Sequence, residues 1–162
     1  MTTVNESSRE DREIVITRTI DAPRELVFRA FIEVSHLSRW WGPSGFTTTT
    51  HSFEFFEGGV WEFTMHGPDG SEYPNWISWR RILAPERLDL VHGESADDPD
   101  AMEQVIAFAD RGETTEIVMH TVFPTVELRD RAVTEYRAVE GGNQTLQRLA
   151  EYVTEQQQQG GS

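Results

Sequence analysis

The sequence predicts an α+β domain in which a curved antiparallel sheet is covered on one face by a long C-terminal helix. Three observations predict it. Stretches between Glu13 and Phe123 alternate apolar with polar residues and are divided by turn residues, which is the pattern of half-buried strands. From Thr125 to about Val153 the period becomes helical, with Ala132, Val133, Tyr136, Val139, Leu146, Leu149, Ala150 and Val153 on one stripe. An antiparallel sheet needs one face covered, and no other long helical pattern follows the strands.

Each element has its own local reason. Glu13 to Ile20 alternates, with Ile14, Ile16 and Ile20 on one face. Asp21-Ala22-Pro23 starts a helix, because proline suits a first turn and Glu25 favours its positive end. Ser35 is expected to cap a second short helix over His36–Trp41, which Gly42-Pro43 stops. Six strands follow: Phe46 to Phe56, Val60 to His66, Glu72 to Leu83, Arg87 to His92, Met102 to Ala109 and Thr114 to Phe123. Gly67-Pro68-Asp69-Gly70 and Asp110-Arg111-Gly112-Glu113 are hairpin turns. Thr125 is the expected N-cap of the final helix. The domain should span residues 13–154, with disordered tails at 1–12 and 155–162, the latter beginning a low-complexity Gln-Gly-Ser end.

Composition narrows the function classes. The 162 residues fit one domain with a core of its own. Cysteine is absent, which excludes disulfides, thiol nucleophiles and cysteine-held zinc. There are 28 acidic residues against 14 basic ones, all Arg, for a formal net charge of −14. Such a field repels phosphate backbones and anionic membranes, so nucleic acid and membrane insertion are not expected. The missing Lys fits adaptation to high salt and GC-rich codon usage alike. The polar N-terminus has no apolar signal region, and a cytoplasmic location is the expectation.

Several stretches together carry a family resemblance. They are Asp-Ala-Pro-Arg-Glu-Leu-Val-Phe at 21–28, His-Leu-Ser-Arg-Trp-Trp-Gly-Pro at 36–43 and Gly-Gly-Val-Trp-Glu-Phe-Thr-Met at 58–65. Gly-Pro-Asp-Gly-Ser-Glu-Tyr-Pro at 67–74, Thr-Val-Phe-Pro at 121–124 and Asn-Gln-Thr-Leu-Gln-Arg-Leu-Ala-Glu-Tyr at 143–152 continue the series. The chain from about Ile14 to Val153 resembles the START-like (SRPBCC) superfamily, in the branch named after the activator of heat-shock protein 90 ATPase. The resemblance implies a helix-grip fold: seven antiparallel strands curled around the C-terminal helix, with a cavity between. Relatives bind lipids, hormones or polyketides there, some cyclise or dehydrate polyketides, and the eponymous member stimulates a chaperone ATPase.

Candidate ligand-binding residues follow from facing. Trp61, Phe63 and Met65 share one face of a strand, and Phe53 shares one with Phe55 on the strand before. Trp41, Phe108 and Tyr136 add aromatic wall. Gly142 and Asn143 fall where the helical stripe should continue past Val139, leaving a bare patch that means either close helix–sheet contact or room for a ligand. His51 is the histidine expected to point inward, with Tyr73, Arg81 and Asn143 as further polar contacts. His66 and His120 are out of phase with the apolar faces. No His spacing suits a metal, and no catalytic residue, metal or cofactor is assigned. Trp76 and Trp79, three apart on a strand, must face opposite sides, and the outward one suits a homodimer or partner surface. The leading expectation is capture of a small apolar or aromatic molecule. The alternatives are a chaperone cofactor, for which there is no docking motif, and a polyketide cyclase or dehydratase relying on His51.

Overall fold

The computed structural model describes residues 11–160; of the expected tails, residues 1–10 and 161–162 lie outside the described residues. Strand β1 (Glu13–Ile20) is followed by helices α1 (Arg24–Ile32) and α2 (Val34–Trp40). Strands β2 (Thr47–Phe53), β3 (Val60–His66), β4 (Glu72–Leu83), β5 (Arg87–Gly93), β6 (Met102–Asp110) and β7 (Thr115–Val122) come next. Helices α3 (Val126–Thr134) and α4 (Ala138–Gly160) end the described chain. All seven strands form one antiparallel sheet in the order β1-β7-β6-β5-β4-β3-β2. Hairpins join β2 through β7 in sequence order, and β1 closes on β7 at the far side.

The inward face follows the alternation. Ile14, Ile16 and Ile20 of β1, Trp61 and Phe63 of β3, Leu88 and Leu90 of β5, and Ile106 and Phe108 of β6 are all buried. Leu146, Leu149 and Val153 of α4 complete the core from above. Trp40 anchors α2, its Nε1 donating to the Ala30 carbonyl at 3.1 Å while its ring meets Phe31 edge-on. Trp79 faces the core and is fully buried, so Trp76 is the tryptophan on the outer face, where it is half-buried.

Three local expectations change. The C-terminal helical pattern is two helices, because Arg137 takes the left-handed φ of 51° and breaks the phase between them. Thr125 does cap α3, accepting from the Leu128 amide at 3.1 Å, but Tyr136 and Val139 fall at the break and are exposed. Helix α2 starts two residues earlier than expected, behind extended Glu33, and leaves Ser35 inside it. Finally, α4 runs on to Gly160 through residues expected as tail. Glutamine is a good helix former, and extending an existing helix avoids the cost of a new nucleus.

Candidate functional site

A cavity of about 340 Å³ lies between the sheet and the start of α4. Its position follows from which residues α4 places inward. The later turns carry Leu146, Leu149 and Val153, which reach the sheet and fill the space. The first turns carry Gly141, Gly142 and Thr145, whose small side groups leave space beside them. The floor is the matching end of the sheet: Ile14 and Ile16 of β1, Met119 and Thr121 of β7, Gln104 of β6 and His92 of β5. Trp41, Gly42 and Pro43, the loop after α2, form a side wall with Met65, and Tyr136 stands at the helix break. Such a mostly apolar wall with few polar groups is the usual composition of a small-molecule site.

The loop wall is held by one residue. Arg148 of α4 donates from Nη1 to the carbonyls of Trp41, Gly42 and Pro43 at 2.9–3.2 Å, and from Nη2 to that of Arg39 at 3.3 Å. These carbonyls lie at and beyond the C-terminal end of α2, where helix acceptors lack intrahelical donors and a cation is favoured. Gly42 fits the turn because its φ is 100° and because a Cβ there would meet Met65 Cε at 2.7 Å.

Both meanings of the glycine patch are realised. A Cβ on Gly142 would stand 2.1 Å from Ile16 Cδ1, so α4 approaches β1 closely at this point. Gly142 also lines the cavity, as does Gly141, whose Cβ would only touch Pro43 at 3.4 Å.

Of the residues expected at the site, Trp41, Met65, Tyr136 and Gly142 line the cavity. Trp61 and Phe63 stand behind Trp41 as packed core, their rings stacked at 3.7 Å and Trp61 meeting Trp41 edge-on at 5.2 Å. Phe53 is half-buried beside Phe55, Trp61 and Trp79, away from the cavity. Phe108 is buried at the opposite end of the sheet against Phe28 and Phe31.

The four expected polar contacts lie elsewhere. His51 is exposed on the outer face, with Nε2 against Thr64 Oγ1 at 2.8 Å. The cause is a register shift between Thr50 and Ser52 in the β2–β3 pair, which inserts one residue and flips the facing of His51 relative to Phe53. Arg81 is exposed for the same reason, since the β4–β5 pair shifts between Trp79 and Arg81. Tyr73 is exposed at the start of β4 beside Phe46. Asn143 is exposed on α4, where its Nδ2 donates back to the Val139 carbonyl at 2.9 Å.

Other polar groups occupy the cavity. Gln104 is only 7% exposed; its Nε2 donates to Thr121 Oγ1 at 2.9 Å, and its Oε1 is buried without a hydrogen-bond partner. His92 has Nε2 at 2.6 Å from Asn75 Oδ1. Asn75 Nδ2 donates to the Tyr73 carbonyl at 3.0 Å, which fixes the amide orientation and makes Oδ1 the acceptor. His92 therefore donates from Nε2. Burial pushes its pKa down to about 4, with Asp98 opposing, so at neutral pH the ring is uncharged and Nδ1 keeps its lone pair. Both residues had a sequence signal. His92 continues the inward phase of Leu88 and Leu90, and Gln104 that of Ile106 and Phe108. A polar side chain on the buried phase of a strand marks a site better than its chemistry alone.

Among the described residues no three His, Asp or Glu side chains gather as a metal site, and no helix is long and apolar enough to cross a membrane.

Comparison with known proteins places the chain. The family model described as activator of Hsp90 ATPase homolog 1-like protein matches residues 21–154. A solution structure of a protein from Arthrobacter aurescens superposes with a TM-score of 0.81 at 23% identity, covering 90% of this chain and 88% of that one. A crystal structure of a protein from Nitrosomonas europaea gives 0.82 at 20% identity, covering 91% and 97%. The AHSA1 protein from Silicibacter pomeroyi gives 0.72 at 17% identity, covering 89% and 99%. These likenesses are of fold. No curated protein matches the chain.

Proposed function

We propose that this chain, which belongs to the activator of Hsp90 ATPase homolog 1-like family, binds a small, largely apolar molecule in the cavity between sheet and α4. The observation that carries this reading is the cavity itself: about 340 Å³ of mostly apolar-walled space, partly open to solvent, between the sheet and α4. Protein interiors are close-packed, and an unfilled volume of this size forfeits contacts that any well-fitting apolar molecule would restore. The volume lies at the lower end of ligand pockets, which suits a compact ring system better than a long-chain lipid. Gly141, Gly142 and Thr145 keep the space open by presenting small groups where α4 elsewhere presents leucines.

A cyclase or dehydratase would need an acid or base in the cavity. His51 is outside it, and His92, with its pKa near 4, is a weak base at neutral pH. Binding without turnover is the reading these groups support best.

A ligand that binds only the folded state raises the melting temperature. Small fused-ring aromatics are expected to raise it in a concentration-dependent way. Thr145→Leu, which pushes a larger side chain into the cavity, should reduce that shift. A melting temperature indifferent to every such compound, together with an unliganded mass for protein purified without denaturant, would overturn the proposal.

A further inference from the structure

Resting on the reading of the cavity as a binding site, we infer that it selects planar aromatic rings over saturated molecules of the same skeleton, and that Met65, Met102 and Met119 make the distinction. Of the chain's four methionines three fall within the described residues, and all three line the cavity. They come from three different strands, β3, β6 and β7. The large side chains fully buried in the core are Trp, Phe, Ile and Leu, with no methionine among them. Thioethers are thus confined to the hollow.

All three lie on the inward phase of their strands. Met65 continues Trp61 and Phe63, Met102 precedes Ile106 and Phe108 at even spacing, and Met119 follows Ile117. Each belongs to a different side of the chamber. Met65 holds its Cε against Gly42 in the loop wall, 2.7 Å from where a Cβ would stand. Met119 lies beside its cross-strand partner Ile16, where α4 comes closest to β1. Met102 pairs with His92 at the other end of the floor. Met119 is level with Ile106, four residues along β6 from Met102, so these two stand about 13 Å apart along the strands. The three side chains surround an occupant; they do not converge on one point.

A thioether offers a ring what a leucine does not. Methionine is unbranched and polarisable, so it turns to fit a flat surface and sets its sulfur near the electropositive edge of an aromatic ring. Each such contact is worth roughly 2- to 10-fold in affinity. A saturated ring has no such edge and no π face. It buries at least as much apolar surface, so transfer out of water alone gives the aromatic molecule no advantage. The methionines therefore supply a preference that apolar burial cannot.

The test titrates the full chain calorimetrically with naphthylmethanol and with its fully hydrogenated analogue, which share a carbon skeleton and one hydroxyl. Naphthylmethanol is expected to bind at least about tenfold more tightly. Met→Leu nearly conserves volume, so a protein carrying Met65→Leu, Met102→Leu and Met119→Leu should keep the cavity yet bring that ratio to within about threefold. A second readout uses the unaltered chain labelled at its methionine methyl carbons. Bound naphthylmethanol should move the methyl resonances of Met65, Met102 and Met119 through its ring current, and the hydrogenated analogue should move them far less. The analogue binding as tightly as naphthylmethanol would overturn ring selection while leaving the apolar cavity in place. An undiminished ratio in the folded leucine variant would overturn the role of the methionines, since shape or the neighbouring rings would then set the preference. Naphthylmethanol bound with all three methyl resonances unmoved would overturn it as well. Failure of both probes to bind would remove this inference and the reading beneath it. The affinity ratio and the methyl shifts are read on the unaltered chain, so they decide the matter even if the leucine variant does not fold.

Discussion

The two ends of the sheet's inner face are covered by the same helix yet reach opposite packing states. At one end Phe28, Phe31, Trp40 and Phe108 meet edge to face, with ring centroids 4.8–5.3 Å apart. The residues come from α1, α2 and β6, and Leu146, Leu149 and Val153 of α4 close over the same core. At the other end α4 offers two glycines and a threonine, and a cavity of about 340 Å³ remains. Aromatic content alone does not decide between them, since Trp41 and Tyr136 line the hollow. The size of the side chains on the covering helix does. A helix–sheet layer is thus filled or emptied from the helix side, while the strands need only keep an apolar face.

The largest test of this contrast removes one ring from the filled end. Phe108→Ala should cost about 3–5 kcal/mol, whereas Met119→Ala, which enlarges an existing hollow, should cost about 2 kcal/mol or less in urea unfolding. Equal costs would mean the hollow is filled in solution.

Next is pH. The folded pKa of His92 lies near 4, below the ordinary value of 6.5, so between these pH values the unfolded chain takes up the proton first. The stability associated with the neutral ring is full above pH 6.5 and lost as the pH falls toward 4, by up to about 3 kcal/mol. His92→Gln should flatten that slope. An NMR titration placing His92 near 6.5 would show that this part of the wall is wet.

Smaller effects follow at the helix. Arg148→Met strips the donors from four carbonyls at and after the end of α2 and should cost about 1–3 kcal/mol, with faster amide exchange at Trp41. The two glycines should split by sign. Gly141→Ala is expected to stabilise by up to about 1 kcal/mol through helix propensity alone. Gly142→Ala should destabilise by about 1 kcal/mol, because the contact with Ile16 outweighs the same propensity gain. A stabilising Gly142→Ala would mean that Ile16 Cδ1 turns into the hollow at little cost.

The strands were legible because alternation survives over most of each strand: β1, β3 and β4 begin and end where the pattern does. Two of the expected polar contacts were misplaced for a related reason. A single inserted residue in β2, and another in β4, reverses facing over the next positions, and neither leaves a mark on residue type. That displaced His51 and Arg81 outward. The helix break is equally silent, since Arg137 is not the residue expected at a left-handed position. Gln104 and His92 were readable in principle, because period-two facing carries through to both.

The near-contact between Gly142 and Ile16 makes residue 142 a spacer. The atom it meets, Ile16 Cδ1, is the end of a side chain that itself lines the cavity. A methyl group at residue 142 would therefore turn that end into the hollow, so one helical position governs how far a floor side chain intrudes on the chamber.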